Sequence, residues 1–248
     1  MAGHVITQKT GGLGIIEFYH PQSNSMPGEL LRQLSEAIIM SGNDPEVKVI
    51  LLKSSGEKTF CAGASFDELV SIKDEAEGRN FFMGFANVIN AMRKAPKFII
   101  GRVQGKCVGG GVGLASAVDY CFATEVADIK LSELAVGIGP FVVGPAVERK
   151  IGLAAFSQLS INAGTFQKSS WAKEKGLYAE VHPTINEMDK GIETLCAFLL
   201  SSNPSAMTEM KKIYWSGAEH WDELLPQRAA ISGRLVLSEF TRNALKKI

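Results

Sequence analysis

The N-terminal stretch HVITQKTGGLGIIEFYH splits into two short, partly alternating runs about a Gly-Gly turn and predicts a β-hairpin. The period then changes. MPGELLRQLSEAIIM carries apolar residues at helical spacing, with Pro27 near its start, where a missing N–H costs nothing. VKVILLKS (Val47–Ser54) is a continuous apolar run and predicts a buried strand. In GRNFFMGFANVINAMRKAP, Phe81, Phe85, Val88, Ile89 and Met92 share one helical face, and the run ends before Pro96. KFIIGRVQGK predicts a further strand and DYCFATEVADIKLSE two short ones, so strands and helices alternate, as in an α/β fold. Beyond about residue 185 the pattern is helical alone. INEMDKGIETLCAFLLSS, PSAMTEMKKIYW and HWDELLPQRAAISGRLVLSEF predict three amphipathic helices, the last bearing Leu224, Leu225, Ile231, Leu235, Leu237 and Phe240. The expected organisation is a core over residues 1–190 and a helical subdomain over 191–248, serving assembly or acting as a lid.

Composition narrows the function classes. The 248 residues are 46% hydrophobic, enough for one sizeable core. Net charge is zero and no run of five Lys/Arg occurs, which argues against nucleic acid or an anionic membrane as partner. No apolar run reaches 18 residues and MAGHVITQKT has no signal-peptide core, so a cytoplasmic location is expected. The four cysteines lack CxxC spacing and the four histidines are scattered, so neither a metal site nor a disulfide framework is expected.

Chemistry concentrates in two small-residue loops. KCVGGGVGLASAVDY places Gly109, Gly110, Gly111 and Gly113 between a strand and a helical run. It matches neither GxxxxGK[ST] nor GxGxxG, which argues against a nucleotide phosphate as its ligand. Alone, the cluster also fits close packing of a helix on a strand. FCAGAS (Phe60–Ser65) repeats the design: strand, small residues, helical run. Two such loops can each aim one backbone N–H at a single oxygen, forming an oxyanion hole, with a helix dipole adding to the second. Cys61 lies in the first loop without a nearby His in sequence, which favours a buried filler over a nucleophile.

These motifs resemble the crotonase superfamily, the enoyl-CoA hydratases and isomerases. FCAGASFDEL is similar to that family's AGAD[LI] loop. APKFIIGRVQGKCVGGGVGLASAVDYCFA, IKLSELAVGIGPFVVGPAV and SSWAKEKGLYAEVHP are similar, in order, to its later motifs. The resemblance implies a spiral of repeated ββα units with a C-terminal helical subdomain, assembling as a homotrimer or homohexamer. It implies an acyl-CoA substrate, with CoA part of the substrate and no separate cofactor. It implies that Ala64 and Gly110 supply the N–H donors to a thioester oxygen. Ala62, Ala64 and Phe66 would then meet the CoA moiety, and Lys211 its phosphates. Gly109, Gly113, Pro140 and Phe141 would line the acyl pocket.

Family hydratases carry two catalytic glutamates. Here the first position is Gly113, and the second is Glu133, set among Ile129, Leu131, Leu134 and Val136. Apolar surroundings raise a carboxyl pKa towards neutrality and suit it to moving protons. One carboxylate can shuttle one proton, so the pattern favours Δ3,Δ2-enoyl-CoA isomerisation over hydration of a 2-enoyl-CoA or a methylglutaconyl-type ester. A CoA-ester-binding protein without activity is the alternative from another class. Ser65 replaces the family's Asp, Gln22 stands where a cation often occurs, and VVGPAVERK replaces a glycine-rich turn.

Overall fold

The computed structural model describes residues 3–246. The predicted hairpin is β1 (His4–Thr10) and β2 (Leu13–Tyr19), antiparallel, with Ile16 and Phe18 of β2 fully buried. β3 (Val49–Ser54) and β4 (Thr59–Cys61) follow, then β5 (Phe98–Val103), β6 (Lys106–Val108), β7 (Tyr120–Thr124), β8 (Ile129–Lys130) and β9 (Glu180–His182). They form two sheets. The larger has the order β1-β2-β3-β5-β7-β9, parallel from β2 onward. The smaller, β4-β6-β8, is parallel throughout.

β3, β5 and β7 are thus each followed by a short strand in the other sheet and then by a helical segment, the ββα repeat that the resemblance implies. The run KFIIGRVQGK is two strands rather than one. It breaks at Gln104 and Gly105, and the buried Gln104 side chain fixes the corner by donating from Nε2 to Ser54 Oγ at 2.9 Å. A side chain on Gly105 would collide with the Lys58 carbonyl, so the two sheets meet closely there.

Continuous apolar strands bury both faces. Ile50 and Leu52 of β3 turn into the main core with α1 (Gly28–Asn43) and, beyond the short α2 (Phe66–Ser71), α3 (Glu75–Lys94). Val49 and Leu51 turn the other way, joining Ile100 and Phe122 beneath Met188, Ile192 and Cys196 of α7 (Ile185–Ser201). Between lie α4 (Gly110–Ala117), α5 (Gly144–Ile161) and α6 (Ser169–Glu174). α5 is broken at Gly152, whose φ is +77°. The boundary expected at 190/191 falls inside the continuous helix α7.

After α7 come α8 (Pro204–Tyr214), α9 (Trp221–Leu235) and α10 (Glu239–Leu245). The last predicted helix is therefore two, and Ser238 caps the second by accepting from Thr241 N at 3.3 Å. α9 crosses α3 with glycine on glycine. A methyl on Gly233 would lie 2.5 Å from Arg79 N, and one on Gly78 would lie 2.7 Å from the Gly233 carbonyl oxygen. The partners are backbone and cannot yield as a side chain would.

Alanine at a helix-interior glycine gains up to about 1 kcal/mol of propensity, whereas overpacking costs about 1–3 kcal/mol. Because the obstruction at Gly233 is backbone on two sides, Gly233→Ala is expected to be net destabilising by about 1–2 kcal/mol. A lowered urea midpoint at unchanged m-value is the expected result; an unchanged or raised midpoint contradicts the crossing.

Candidate active site

Three successive turns of the spiral place their loops side by side at the C-terminal ends of β4, β6 and β8. They enclose a cavity of about 60 Å³. The β4 loop contributes Ala62, Gly63, Ala64 and Phe66. The β6 loop contributes Gly109 and Gly110, and the segment after β8 contributes Ser132 and Glu133. Ile138 to Val143 form one wall; Leu69, Phe82 and Phe85 form another; Ser232 of α9 completes it.

The first loop is held from beneath by the segment before α1. Ala62 N donates to Ser23 O at 3.2 Å, Met26 N to Gly63 O at 2.8 Å, and Ser65 N to Met26 O at 3.2 Å. Asn24 anchors that segment, donating from Nδ2 to the carbonyls of Ser55 and Thr59 at 2.8 and 2.9 Å. Ser65 N is thereby taken and Gly63 N donates to Cys61 Sγ at 3.4 Å, while the Ala64 N–H has no acceptor among the described residues. The Gly110 N–H is in the same condition, being at the first position of α4, where no intrahelical acceptor exists.

The loops also abut. Gly63 has φ +89°, and a Cβ there would lie 3.3 Å from Gly110 N and 3.0 Å from the Val108 carbonyl oxygen. The glycines of the second loop differ in what surrounds them. Gly109 has φ +53°, and a Cβ there would come within 3.3 Å of Glu133 Oε1. At Gly110 a side chain would strike the Phe85 ring. At Gly113 it would sit 2.5 Å from Val143 Cγ1. Gly113 is covered by Val143 and does not itself reach the cavity; Val143 does.

Glu133 opens the 3₁₀ turn Glu133–Val136, and its Oε2 is sealed from solvent with no hydrogen-bond partner. Burial raises its pKa to about 7 from 4.5, and its own backbone N–H offsets only part of this. It is the only ionisable side chain among the described residues lining the cavity. Burial also holds the Cys61 thiol up at about 12, so it is not a poised thiolate.

Of the ten residues singled out in the sequence, Ala62, Ala64, Phe66, Gly109, Gly110, Glu133, Pro140 and Phe141 meet at this cavity. Lys211 is elsewhere. Its ammonium is buried, 2.9 Å from Asp119 Oδ2 and 2.8 Å from the Lys97 carbonyl oxygen. Asp119 also accepts from Ile99 N at 2.7 Å and Trp215 Nε1 at 2.9 Å. Lys211 therefore ties α8 to the sheet and offers nothing to a phosphate. Phe85, Val143, Ser132 and Ser232 were missed, because each is brought in from an apolar or helical run with no motif of its own.

The sequence matches the family model described as enoyl-CoA hydratase/isomerase over residues 8–246. The chain belongs to that family, the crotonase superfamily. Among its relatives, the provisionally named enoyl-CoA hydratase/isomerase YngF of Bacillus subtilis is 30% identical over 87% of this chain and 82% of its own. A peroxisomal Delta(3,5)-Delta(2,4)-dienoyl-CoA isomerase of Arabidopsis thaliana is 27% identical over 77% of this chain and 72% of its own. The solved structure of an enoyl-CoA hydratase from Bacillus halodurans has the same fold, with TM-score 0.91 at 21% identity, covering 98% of this chain and 99% of that one.

Two outcomes follow from the buried charges. Folding raises the Glu133 pKa, so its contribution to stability is full below about pH 4.5 and is lost as pH rises to about 7. Glu133→Gln is expected to unfold about 2–4 kcal/mol harder than the unmodified protein at pH 8, the gap closing by pH 4. Parallel unfolding curves at the two pH values check this. Lys211→Met leaves Asp119 buried without its cation and should cost about 3–5 kcal/mol. Calorimetric titration with CoA esters at low temperature should find affinity per folded molecule unchanged; a selective loss of affinity would return Lys211 to the binding site.

Proposed function

We propose that the protein isomerises 3-enoyl-CoA thioesters to 2-enoyl-CoA thioesters, with Glu133 as the single proton carrier. One observation carries this reading: a carboxyl whose Oε2 is sealed and without a hydrogen-bond partner lines the cavity, where a second carboxylate's place is filled by Val143 over Gly113. The thioester oxygen would sit between the Ala64 and Gly110 N–H groups, at the positive end of α4. Ionised Glu133 takes the proton from C2, and the electron pair moves into the carbonyl, leaving a dienolate whose oxygen the two N–H groups hold. The Glu133 carboxyl returns the proton at C4, and the double bond comes to rest between C2 and C3. Preorganised donors stabilise the oxyanion without reorganising, which makes C2–H acidic enough for a base of pKa near 7. CoA enters as part of the substrate, so the reaction as written needs no separate cofactor. The dienoyl-CoA isomerase among the relatives supports double-bond migration as chemistry within this family's reach.

Hydration needs a second group to position water, and the lining offers no other ionisable side chain among the described residues. A panel of 3-enoyl-, 2-enoyl- and methylglutaconyl-CoA esters tests the assignment. The 3-enoyl ester should be turned over fastest, with kcat/KM falling below a midpoint of about pH 7 as Glu133 takes up its proton. Glu133→Gln should lower kcat by about 10²–10⁴. Faster hydration of the 2-enoyl ester would sink isomerisation. Binding of esters without turnover or exchange of C2 protons in D₂O would favour a binding protein instead.

A further inference from the structure

A second chamber of about 300 Å³ adjoins the catalytic cavity. Pro140 and Phe141 belong to both linings and so form the partition between the two spaces. The first space, at about 60 Å³, has room for roughly four or five water-sized groups. A four-carbon acyl group fills it. A longer chain needs further room, and the second chamber lies directly across the partition.

The two halves of the partition differ in freedom. Pro140 has its φ fixed by its ring, and its carbonyl accepts from Gly144 N at 2.8 Å at the start of α5. The Phe141 side chain is held by little. It is partly exposed, belongs to neither hydrophobic cluster and pairs with no other ring among the described residues. Its ring lies on bare backbone: a Cβ on Gly139, whose φ is +105°, would come 2.8 Å from Phe141 Cε2. Rotation about the Phe141 Cα–Cβ bond therefore breaks no packing within either cluster. The wall of the second chamber is firmer. Phe156 packs on the main core, and its ring covers Gly144, where a Cβ would lie 2.9 Å from Cζ.

The lining also restricts what enters. Phe156, Pro145 and Ile161 make much of the surface apolar. The Ser160 hydroxyl is spent on the Phe156 carbonyl at 2.7 Å. Glu148 and Arg228 are the charged residues there among the described residues, and they are of opposite sign. A carboxylate drawn to Arg228 would share the space with Glu148, whereas an alkyl chain leaves both charges to the solvent.

We infer that Phe141 is a gate between the two spaces, and that the second chamber takes the distal part of an uncharged alkyl chain too long for the first. Phe141 is then a specificity residue that sets acyl length. This rests on the acyl-CoA reading above and adds the class of acyl group.

Saturated esters bind without turnover, so butanoyl-, octanoyl- and octanedioyl-CoA can be titrated calorimetrically into the full-length protein. Octanoyl-CoA should bind about ten- to a hundredfold tighter than butanoyl-CoA, as four further buried methylenes permit. Octanedioyl-CoA should bind more weakly than octanoyl-CoA. Ser157→Trp fills the second chamber from a half-buried position on α5. It should reduce the octanoyl-to-butanoyl ratio to about two or less and leave butanoyl-CoA affinity unchanged. Phe141→Ala removes the gate and should raise the ratio about threefold or more, since no population of closed protein has to be opened. Should Ser157→Trp lose both esters, Phe141→Ala decides alone. Equal binding of the butanoyl and octanoyl esters, a ratio unchanged in either variant, or tightest binding by octanedioyl-CoA would overturn the inference while leaving acyl-CoA binding intact. If none of the three binds, the acyl-CoA reading fails and the inference with it.

Discussion

The site depends on one carboxyl group whose Oε2 is held out of water without a counter-charge. Such a group is tolerated only by remaining protonated for part of the time, and this places Glu133 near neutrality. Each surrounding feature serves that condition. Gly109 has no side chain to push the carboxylate aside, Val143 fills the space over Gly113, and phenylalanines from α3 exclude solvent. A lysine or arginine anywhere in the lining would return the acid to its ordinary range, and with it the ability to exchange a proton at physiological pH would be lost.

The two small-residue loops follow a single geometric rule. Consecutive turns of the spiral end in short strands of one parallel sheet, so the residues after each strand come to the same side at nearly the same height. Two N–H donors can converge on one point only if the backbones nearly touch, and Gly63 against Gly110 is that contact. The segment from Ser23 to Met26 makes the arrangement rigid by binding the loop's other polar groups.

Much of this could be read from residue order. The hairpin, the buried strands, the Phe81–Met92 face and both loops announce themselves by period or by glycine content. Glu133 is found through the family resemblance, and its apolar neighbours in sequence add the expectation of a raised pKa. What could not be read is whatever depends on who packs against whom. Lys211 looks like a surface cation on an amphipathic helix, and only the fold reveals that Asp119 waits beneath it. Gly113 reads as a gap, but whether water, substrate or another side chain fills it is decided by Val143, thirty positions on. Ser232 has no signature at all, since a serine in a helix is unremarkable until the fold brings it to the cavity lining. The break between α9 and α10 escaped for a similar reason: hydrophobic spacing runs through it, and only the Ser238 cap marks the restart.

Glycine at position 137 has φ +83°, and a Cβ there would collide with Phe240 and Thr241 of α10. The turn that carries Glu133 is thus roofed by the last helix of the chain. This gives the site an order in time. As the chain leaves the ribosome, the sheets and both loops are complete well before α9 and α10 are available to dock. The cover over the turn that carries Glu133 thus comes from a helix translated after both small-residue loops.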